Sequence, residues 1–515
     1  MTYPDEPRHH SAGRRHLRRE IEAGFRRAMG LTMLGTVVPG AGLTQTRHKK
    51  MGWVLIVAAL GGAALLGYVV LTRGLMNTAL SLVSSPSALQ MVSIGLLVGG
   101  AIWAASIILT AVSSRPDRLD HPRTRTLAAL TTLMVLVVAG TSYKAAEYAL
   151  ITKDTLLDVF PSSALKPGQG AKVDIAAKDP WAETPRVNIL LLGSDAGVGR
   201  SGTRTDSMIV ASIDTKTGRT ALVSLPRNLM RAPIPESSPL RALYPESYGV
   251  PYCQRGQNEC MLNAIWAEAD EYKKAHPEAY PGEASAGRYE IRQVIGEILD
   301  VKIDHTVIID LKGFQQLIDA MGGVEVNVRG GGPDGSRPLP YGKKLRNGKY
   351  TYTFQPGVQR LDGYHALWYA RTRAADDDFY RQARQRCVVK AVVSQVNPAS
   401  MLAKYADVAR IAKDNIYTDI PAPNLPAFVQ LIERVQKSKI VSVALTQKQG
   451  VDSMDPDFDV IRGLLRKAIA PPAPATPKPS PTSTPDESAT PTGGPSDQAT
   501  PTGTPTTAAA DPDQC

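Results

Sequence analysis

Between Asp195 and Asp206 the chain reads DAGVGRSGTRTD, two carboxylates enclosing Arg200 and Arg204 on a glycine-rich loop. Glycine lets a backbone approach an anion closely, and a guanidinium matches phosphate oxygens two at a time. Phosphate binding is the chemistry these residues suggest, and the acids need a reason of their own. Two more stretches carry the same residue types. SLPRNLMR brings Arg227 and Arg231, and YARTRAADDDFYRQARQ brings Arg371, Arg373, Asp378, Arg381, Arg384 and Gln385. On a helix over Asp377 to Val396, Asp378, Arg381 and Gln385 fall at i, i+3 and i+7 on one face. Arg384 lies beside them, and Val388, Val389 and Val392 continue as an apolar stripe. Taken singly, these charges are met by a solvated helix start whose acids favour the dipole, and Arg227 and Arg231 by a solvated loop. Several arginines converging would instead favour phosphate, and both readings stand at this point.

The elements that must position these residues follow from the pattern. Val187 to Leu192 is mostly apolar and runs into the loop. Gly197, Gly199 and Gly202 spell the dinucleotide fingerprint G-x-G-x-x-G, which requires a helix directly afterwards. Met208 to Asp214 is instead β-branched and roughly alternating, hence a strand. TKTGR then turns the chain into a third strand, Thr220 to Leu225. A meander excludes the dinucleotide reading. Downstream, Asn263 to Ala275, Arg288 to Leu299, Lys312 to Met321 and Leu361 to Arg371 read as helices. His305 to Asp310 and Val324 to Val328 read as strands, the latter after the Gly322-Gly323 stop. From Trp181 to Ala470, roughly 290 residues make one large α/β domain at the upper end of single-core size.

The rest of the chain predicts a membrane location. Gly52 to Leu71, Met91 to Val112, and Leu127 to Ser142 with its flanks are candidates for the roughly 20-residue span of a bilayer, so residues 52–150 are assigned three transmembrane helices. Residues 28–46, broken at Pro39-Gly40 and flanked by Arg26, Arg27, Arg47, Lys49 and Lys50, read as a re-entrant or interfacial hairpin. Residues 1–27 form a basic arm, for which anionic lipid is the expected partner rather than nucleic acid. Arg115, Arg118, Arg123 and Arg125 mark an inside loop under the positive-inside rule. A cytoplasmic N-terminus and three crossings then place the large domain outside the cell, after a linker over 151–180. Net charge is +11, and there are four cysteines in 515 residues. Cys253 and Cys260 in a polar loop suit a disulfide in an oxidising compartment, with no His or further Cys nearby at zinc-ligand spacing. Cys387 reads as a buried thiol, and Cys515 has no assigned role. Residues 471–515, rich in Pro, Thr, Ser and Ala, are expected to be disordered.

GSDAG…RTDSM, SLPRN, GFQQLIDAMGGVEV and LDGYHALWYARTR…DDDFYRQARQ, in this order over roughly Val187 to Val396, resemble the LytR–CpsA–Psr family of cell-wall enzymes. The resemblance implies an α/β fold, a mixed sheet flanked by helices with a hydrophobic groove for lipid. It also implies transfer of a glycopolymer from a polyprenyl-diphosphate carrier to peptidoglycan, forming a phosphodiester. Asp195 and Asp206 match the acids that hold Mg²⁺. Arg204, Arg227, Arg231, Arg371, Arg373 and Arg381 match the phosphate-binding arginines, and Gln385 the glutamine beside them; Asp378 and Arg384 belong to the same motif. Arg204, Asp206, Asp378 and Arg381 are the residues expected to act in catalysis. Gly197 stands where many members carry a basic residue, a contact that Arg200 could supply. The acids then have their reason, because Mg²⁺ takes hard oxygen ligands and stabilises a leaving phosphate. The multi-span region departs from the single crossing common in the family. Two alternatives use the same site: a hydrolase of polyprenyl diphosphates, and a sensor that binds them and signals through the basic arm.

Overall fold

The computed structural model describes residues 9–471 apart from 118, 161–169, 196–204, 254–256, 333–334, 398–399, 402–407, 409–410, 412 and 414. Arg200, Arg204, Gly197 and residues 472–515 of the tail assigned to 471–515 lie outside the described residues. The chain divides into two units, one holding residues 1–169, 173–180 and 397–430, the other residues 170–172, 181–396 and 431–515.

The first unit is helical: α1 (His9–Val37), α2 (Lys49–Arg73), α3 (Leu75–Val83), α4 (Pro86–Ser114) and α5 (His121–Val159). Lys49–Thr72, Pro86–Ser114 and His121–Asp154 are long and apolar enough to cross a membrane. Residues 9–27 of the expected basic arm and the first leg of the expected hairpin are one continuous helix, α1, and α5 runs nine residues past Leu150 into the expected linker. A short 3₁₀ turn, Gly42–Gln45, follows α1. Its fit against α1 and α4 demands glycine, because a Cβ on Gly42 would lie 2.3 Å from the Leu31 carbonyl oxygen and 2.5 Å from Thr110 Cγ2. Trp103 Nε1 on α4 donates to the Gly35 carbonyl of α1 at 2.9 Å. Gly100 faces Ser142 closely enough that a Cβ would meet it at 2.5 Å, the small-on-small contact that lets apolar helices approach.

The second unit is α/β. β1 (Arg186–Ser194), β2 (Thr205–Asp214) and β3 (Thr220–Ser224) form the expected meander, with β1 and β2 antiparallel and β2 and β3 antiparallel. β4 (His305–Asp310) joins β1 in parallel, and a later strand over Ile440–Ala444 joins β3 in parallel. The sheet is therefore mixed, as expected. α6 (Ile265–Ala275) and α7 (Ala286–Leu299) cover one face, where Leu190, Leu192, Met208, Val210 and Val223 meet Ile265, Ile291, Ile295 and Ile298 in the main core. α8 (Leu311–Met321) starts on an Asp310 cap and stops at Gly322, which is left-handed at φ 84°. A second layer holds two small antiparallel sheets, β5 (Val324–Val328) with β8 (Gly357–Leu361), and β6 (Leu339–Lys344) with β7 (Tyr350–Phe354). α9 (Gly363–Arg371) and α10 (Asp378–Gln395) follow, each entered through an aspartate cap, Asp362 and Asp377. The helix expected from Leu361 begins two residues later because Leu361 ends β8 and Asp362 caps. Val388 of the expected stripe joins Val324, Val326 and Leu339 in a second core, with Val392 against it.

Candidate active site

The first acid of the site owes its direction to a strand irregularity. β1 and β2 pair Gly193 with Ser207 but Ser194 with Thr205, so Asp206 is left over as a bulged residue. A bulge re-aims the side chain it carries. Gly193 permits the tight rung, since a Cβ there would lie 3.0 Å from Ser207 Cβ. Asp195 directly follows β1, one residue beyond the rung that ends the pairing. Asp195 and Asp206 thus frame residues 196–204.

Asp206 accepts from Arg227 Nη1 at 2.8 Å. Arg227 stands just past β3, on a segment that runs beside Met261 to Asn263: Leu262 N donates to Leu229 O at 2.8 Å and Asn263 N to Arg227 O at 3.1 Å. From the other side comes α10. Arg381 Nη2 reaches the Asp206 backbone oxygen at 3.4 Å and the Asp378 carboxylate at 2.9 Å. Arg373 Nη1 lies 3.6 Å from Asp378, and Gln382 donates to it at 3.0 Å. Arg227, Asp206, Arg381, Asp378 and Arg373 therefore follow one another in a run, joined at Asp206 and Arg381 through the Asp206 backbone oxygen. Burial pushes the Arg381 guanidinium down from its ordinary value, Asp378 opposing and Arg227 adding to the fall.

The run opens on a cleft of about 310 Å³ lined by Arg227, Asn228, Asn258, Met261, Asn263, Arg373 and Asp378. In the cleft wall, Asn263 Oδ1 is buried with no hydrogen-bond partner among the described residues, which leaves it acceptor capacity for a polar ligand.

The other expected residues sit elsewhere. Gln385 is half-buried one turn beyond Arg381 on α10, the face the i, i+3, i+7 spacing predicts. Arg231 is left-handed at φ 54° and pairs with Asp455 at 2.8 Å on the exposed surface, its side chain 59% accessible. Arg371 is exposed at the end of α9. Arg384 turns into the protein. Its guanidinium binds the Asp376 carboxylate at 2.5 and 3.0 Å and the Tyr369 carbonyl at 3.0 Å, and it also donates to the Thr372 carbonyl. Its donors are thus engaged in holding the turn that presents Arg373 and Asp378. Cys253 and Cys260 form the expected disulfide, with Cα atoms 5.9 Å apart. Cys387 is buried, but it is disulfide-bonded rather than the free thiol expected.

Asp376, Gln382 and the cleft residues Asn228, Asn258, Met261 and Asn263 were not marked by sequence pattern. Asp376 sits within the DDD run and had a signal in its charge; the asparagines are brought in by pairing between segments about thirty residues apart, which no local spacing announces. Among the described residues no three His, Cys, Asp or Glu side chains cluster as a metal cage. Asp195 and Asp206 are two carboxylates framing residues 196–204, and one or two carboxylates are what Mg²⁺ ordinarily takes from a protein.

Several known proteins resemble part of this chain. Biofilm regulatory protein A of Streptococcus mutans is 27% identical over 251 residues, 48% of this chain and 52% of that protein. The polyisoprenyl-teichoic acid–peptidoglycan teichoic acid transferase TagV of Bacillus subtilis is 26% identical over 265 residues, 50% of this chain and 56% of that protein. The chain thus spans about half the length of these curated relatives. A crystal structure of B. subtilis TagV aligns with 55% of this chain and 96% of its own, at 23% identity and a TM-score of 0.38. Residues 161–460, which hold every charged residue of the cleft, match the LytR_cpsA_psr family, and the chain belongs to that LytR–CpsA–Psr family.

Proposed function

We propose that this protein transfers a glycopolymer from a polyprenyl-diphosphate carrier to peptidoglycan, leaving a phosphodiester link and releasing polyprenyl phosphate. The observation that carries the reading is the pair of ion-paired groups Asp206–Arg227 and Arg381–Asp378–Arg373, of which Arg227, Asp378 and Arg373 line the cleft. A diphosphate needs several fixed cations, and Arg227, Arg373 and Arg381 are held in place by carboxylates before any ligand arrives. Such preorganised charge acts on the transition state without reorganisation. An acceptor hydroxyl attacks the phosphorus next to the glycan as the bond to the departing polyprenyl phosphate breaks. The hydroxyl proton goes to a carboxylate, and Asp378, in the cleft wall, is our choice. Asp195 and Asp206 would hold Mg²⁺, which supplies neutralisation of charge on the leaving phosphate. Arg204 and Gln385 are assigned to the same phosphates from the family motif.

The location belongs to the same proposal. Three helices long and apolar enough to cross a membrane support a multi-pass protein, and the proposal assigns the catalytic domain to the outside of the cell, where peptidoglycan and an oxidising environment for Cys253–Cys260 are found. The relative named as a teichoic acid transferase supports the activity.

The test incubates the full chain in detergent with a labelled polyprenyl-diphosphate glycan, Mg²⁺ and peptidoglycan fragments. Label joined covalently to peptidoglycan is the expected result. Label released as free glycan phosphate, with or without acceptor, would make the protein a hydrolase. No turnover in either arm would leave it a binder of the lipid diphosphate.

A further inference from the structure

Residues 335–361 contain six cations, Arg337, Lys343, Lys344, Arg346, Lys349 and Arg360, and no acid. Four of them crowd the tip of the β6–β7 hairpin. Lys343, Lys344, Arg346 and Lys349 are all exposed, and among the described residues no carboxylate pairs with any of them. The tip is a closed turn: Leu345 N donates to Lys349 O at 2.7 Å and Gly348 N to Leu345 O at 3.0 Å, with Gly348 left-handed at φ 82°. Four like charges on so short a turn repel one another, a cost without return unless a polyanion offsets it.

Beside the charges lies an aromatic face. Tyr341 is buried, stacked on Phe354 at 4.0 Å and on Tyr352 at 5.4 Å between centroids. Tyr352 is held from below by that stack, yet it is 52% exposed. Tyr364, 44% exposed, is fixed edge-on against Trp368 at 6.3 Å. A rigid, half-exposed ring presents large amphipathic area at little entropic cost, the surface on which the apolar face of a sugar rests.

The hairpin is also rooted in the site. Thr372, between Arg371 and Arg373, donates through its hydroxyl to the Pro340 carbonyl at the start of β6 at 2.6 Å. From that root to the tip is about 20 Å at the rise of an extended strand.

We propose that the β6–β7 hairpin is a binding arm for an anionic glycan chain, its Lys343, Lys344, Arg346 and Lys349 pairing with phosphates or other anions along the polymer and Tyr352 stacking on its sugars. The proposal deepens the transferase reading and rests on it for the polymer's role: the glycan held by its diphosphate at the cleft extends along the hairpin. Long glycopolymers would then be bound at two points, which raises effective concentration at the reacting end. A bilayer surface is the competing partner, since Leu345 at the tip is 45% exposed. One leucine is little apolar area for insertion, whereas aromatic faces beside spread charge favour a sugar polymer.

The experiment measures binding of the full chain, in nanodiscs of neutral lipid, to labelled phosphodextran, to neutral dextran and to phosphatidylglycerol vesicles. The variants are K343S/K344S/R346S/K349S and, separately, Tyr352→Ala. The parent is expected to bind phosphodextran well above neutral dextran, with a log–log salt slope of about −3 if four cations engage a flexible polyanion. The four-site variant should lose roughly tenfold or more and most of that slope, and Tyr352→Ala several-fold with the slope kept. Both should keep their thermal unfolding midpoint and their turnover of a donor carrying a single sugar. Because binding is read directly, failure of the transferase reading leaves this measurement intact. Unchanged phosphodextran affinity in the four-site variant would overturn the proposal. So would a loss confined to the vesicles, which would assign the hairpin to the membrane.

Discussion

Asp376→Asn separates the residues that do chemistry from those that hold them. Asp376 and Arg384 have side chains only 4% exposed, and the carboxylate takes both guanidinium nitrogens. The substitution keeps shape and removes the charge. Arg384 is left as a buried cation whose remaining partners are two neutral carbonyls, and an amide NH₂ now faces its donors. Removing one partner of a buried ion pair costs about 3–5 kcal/mol, far more than the pair contributes over an apolar replacement. At about 2–4 °C per kcal/mol for a domain of this order, a loss near 4 kcal/mol lowers the unfolding midpoint by roughly 8–16 °C. The assay is tryptophan-monitored thermal unfolding of the full chain in detergent, with labelled-glycan transfer measured well below both midpoints. Asp376→Asn should unfold early yet retain transfer when folded. Asp378→Asn, whose side chain is 22% exposed at the cleft, should show the opposite pattern. The double variant Asp376→Leu/Arg384→Met should recover much of the lost stability, because no buried charge remains. A midpoint within a degree or so of the parent for Asp376→Asn, or a double variant no better than the single, would refute the reasoning.

The remaining expectations concern the acid, the buried carboxyl and the disulfide. Asp206→Asn should cut transfer by about 10²-fold and weaken the response to Mg²⁺, while the half-exposed pair with Arg227 costs only about 0–1 kcal/mol of stability; Arg204→Lys should also lose activity, and near-parental rates in both would remove the loop from the mechanism. Burial pushes the Glu290 carboxyl up from its ordinary 4.5, against hydrogen bonds from Ser238 and Tyr280. The folded state then holds the proton more tightly, so this group's contribution is full below the unfolded value and is lost as pH rises through the folded one. Glu290→Gln should accordingly gain on the parent most near about pH 8 and least near about pH 4; denaturant midpoints would show the gap shrinking with pH if the sign were wrong and constant if the group were unshifted. Replacing Cys253 and Cys260 by serine should cost at most about 2–3 kcal/mol for so short a loop, and unreduced peptide mapping should find the bond in the parent but two alkylated thiols if it is absent.

The parts of the fold that sequence made legible were those with local rules. Met208 to Asp214 alternates and lies one tight turn from Thr220, so the meander follows from spacing alone. Asp378, Arg381 and Gln385 share a face because 3.6 residues make a turn. Arg384 obeys the same arithmetic, but its direction is decided by Asp376 and two carbonyls in the turn before the helix, which no periodicity encodes. The cleft asparagines are hidden for a similar reason, since Asn263 meets Arg227 only through backbone pairing across a long loop. The β6–β7 hairpin did carry a signal, Asn347-Gly348 ahead of the alternating YTYTF. A reading centred on arginine and aspartate passes over it.

The bulge at Asp206 also governs where this chain tolerates changes of length. Toward the C-terminal side of Asp206, one added residue in β2 would exchange Met208 and Val210, which face the main core, with the residues on the other side of the sheet. The same insertion between residues 196 and 204 shifts no paired rung, because the last pair, Ser194 with Thr205, lies outside that stretch. Chain length between residues 196 and 204 and sheet register are therefore uncoupled, and libraries that lengthen or shorten that stretch leave the β1–β2 pairing in place.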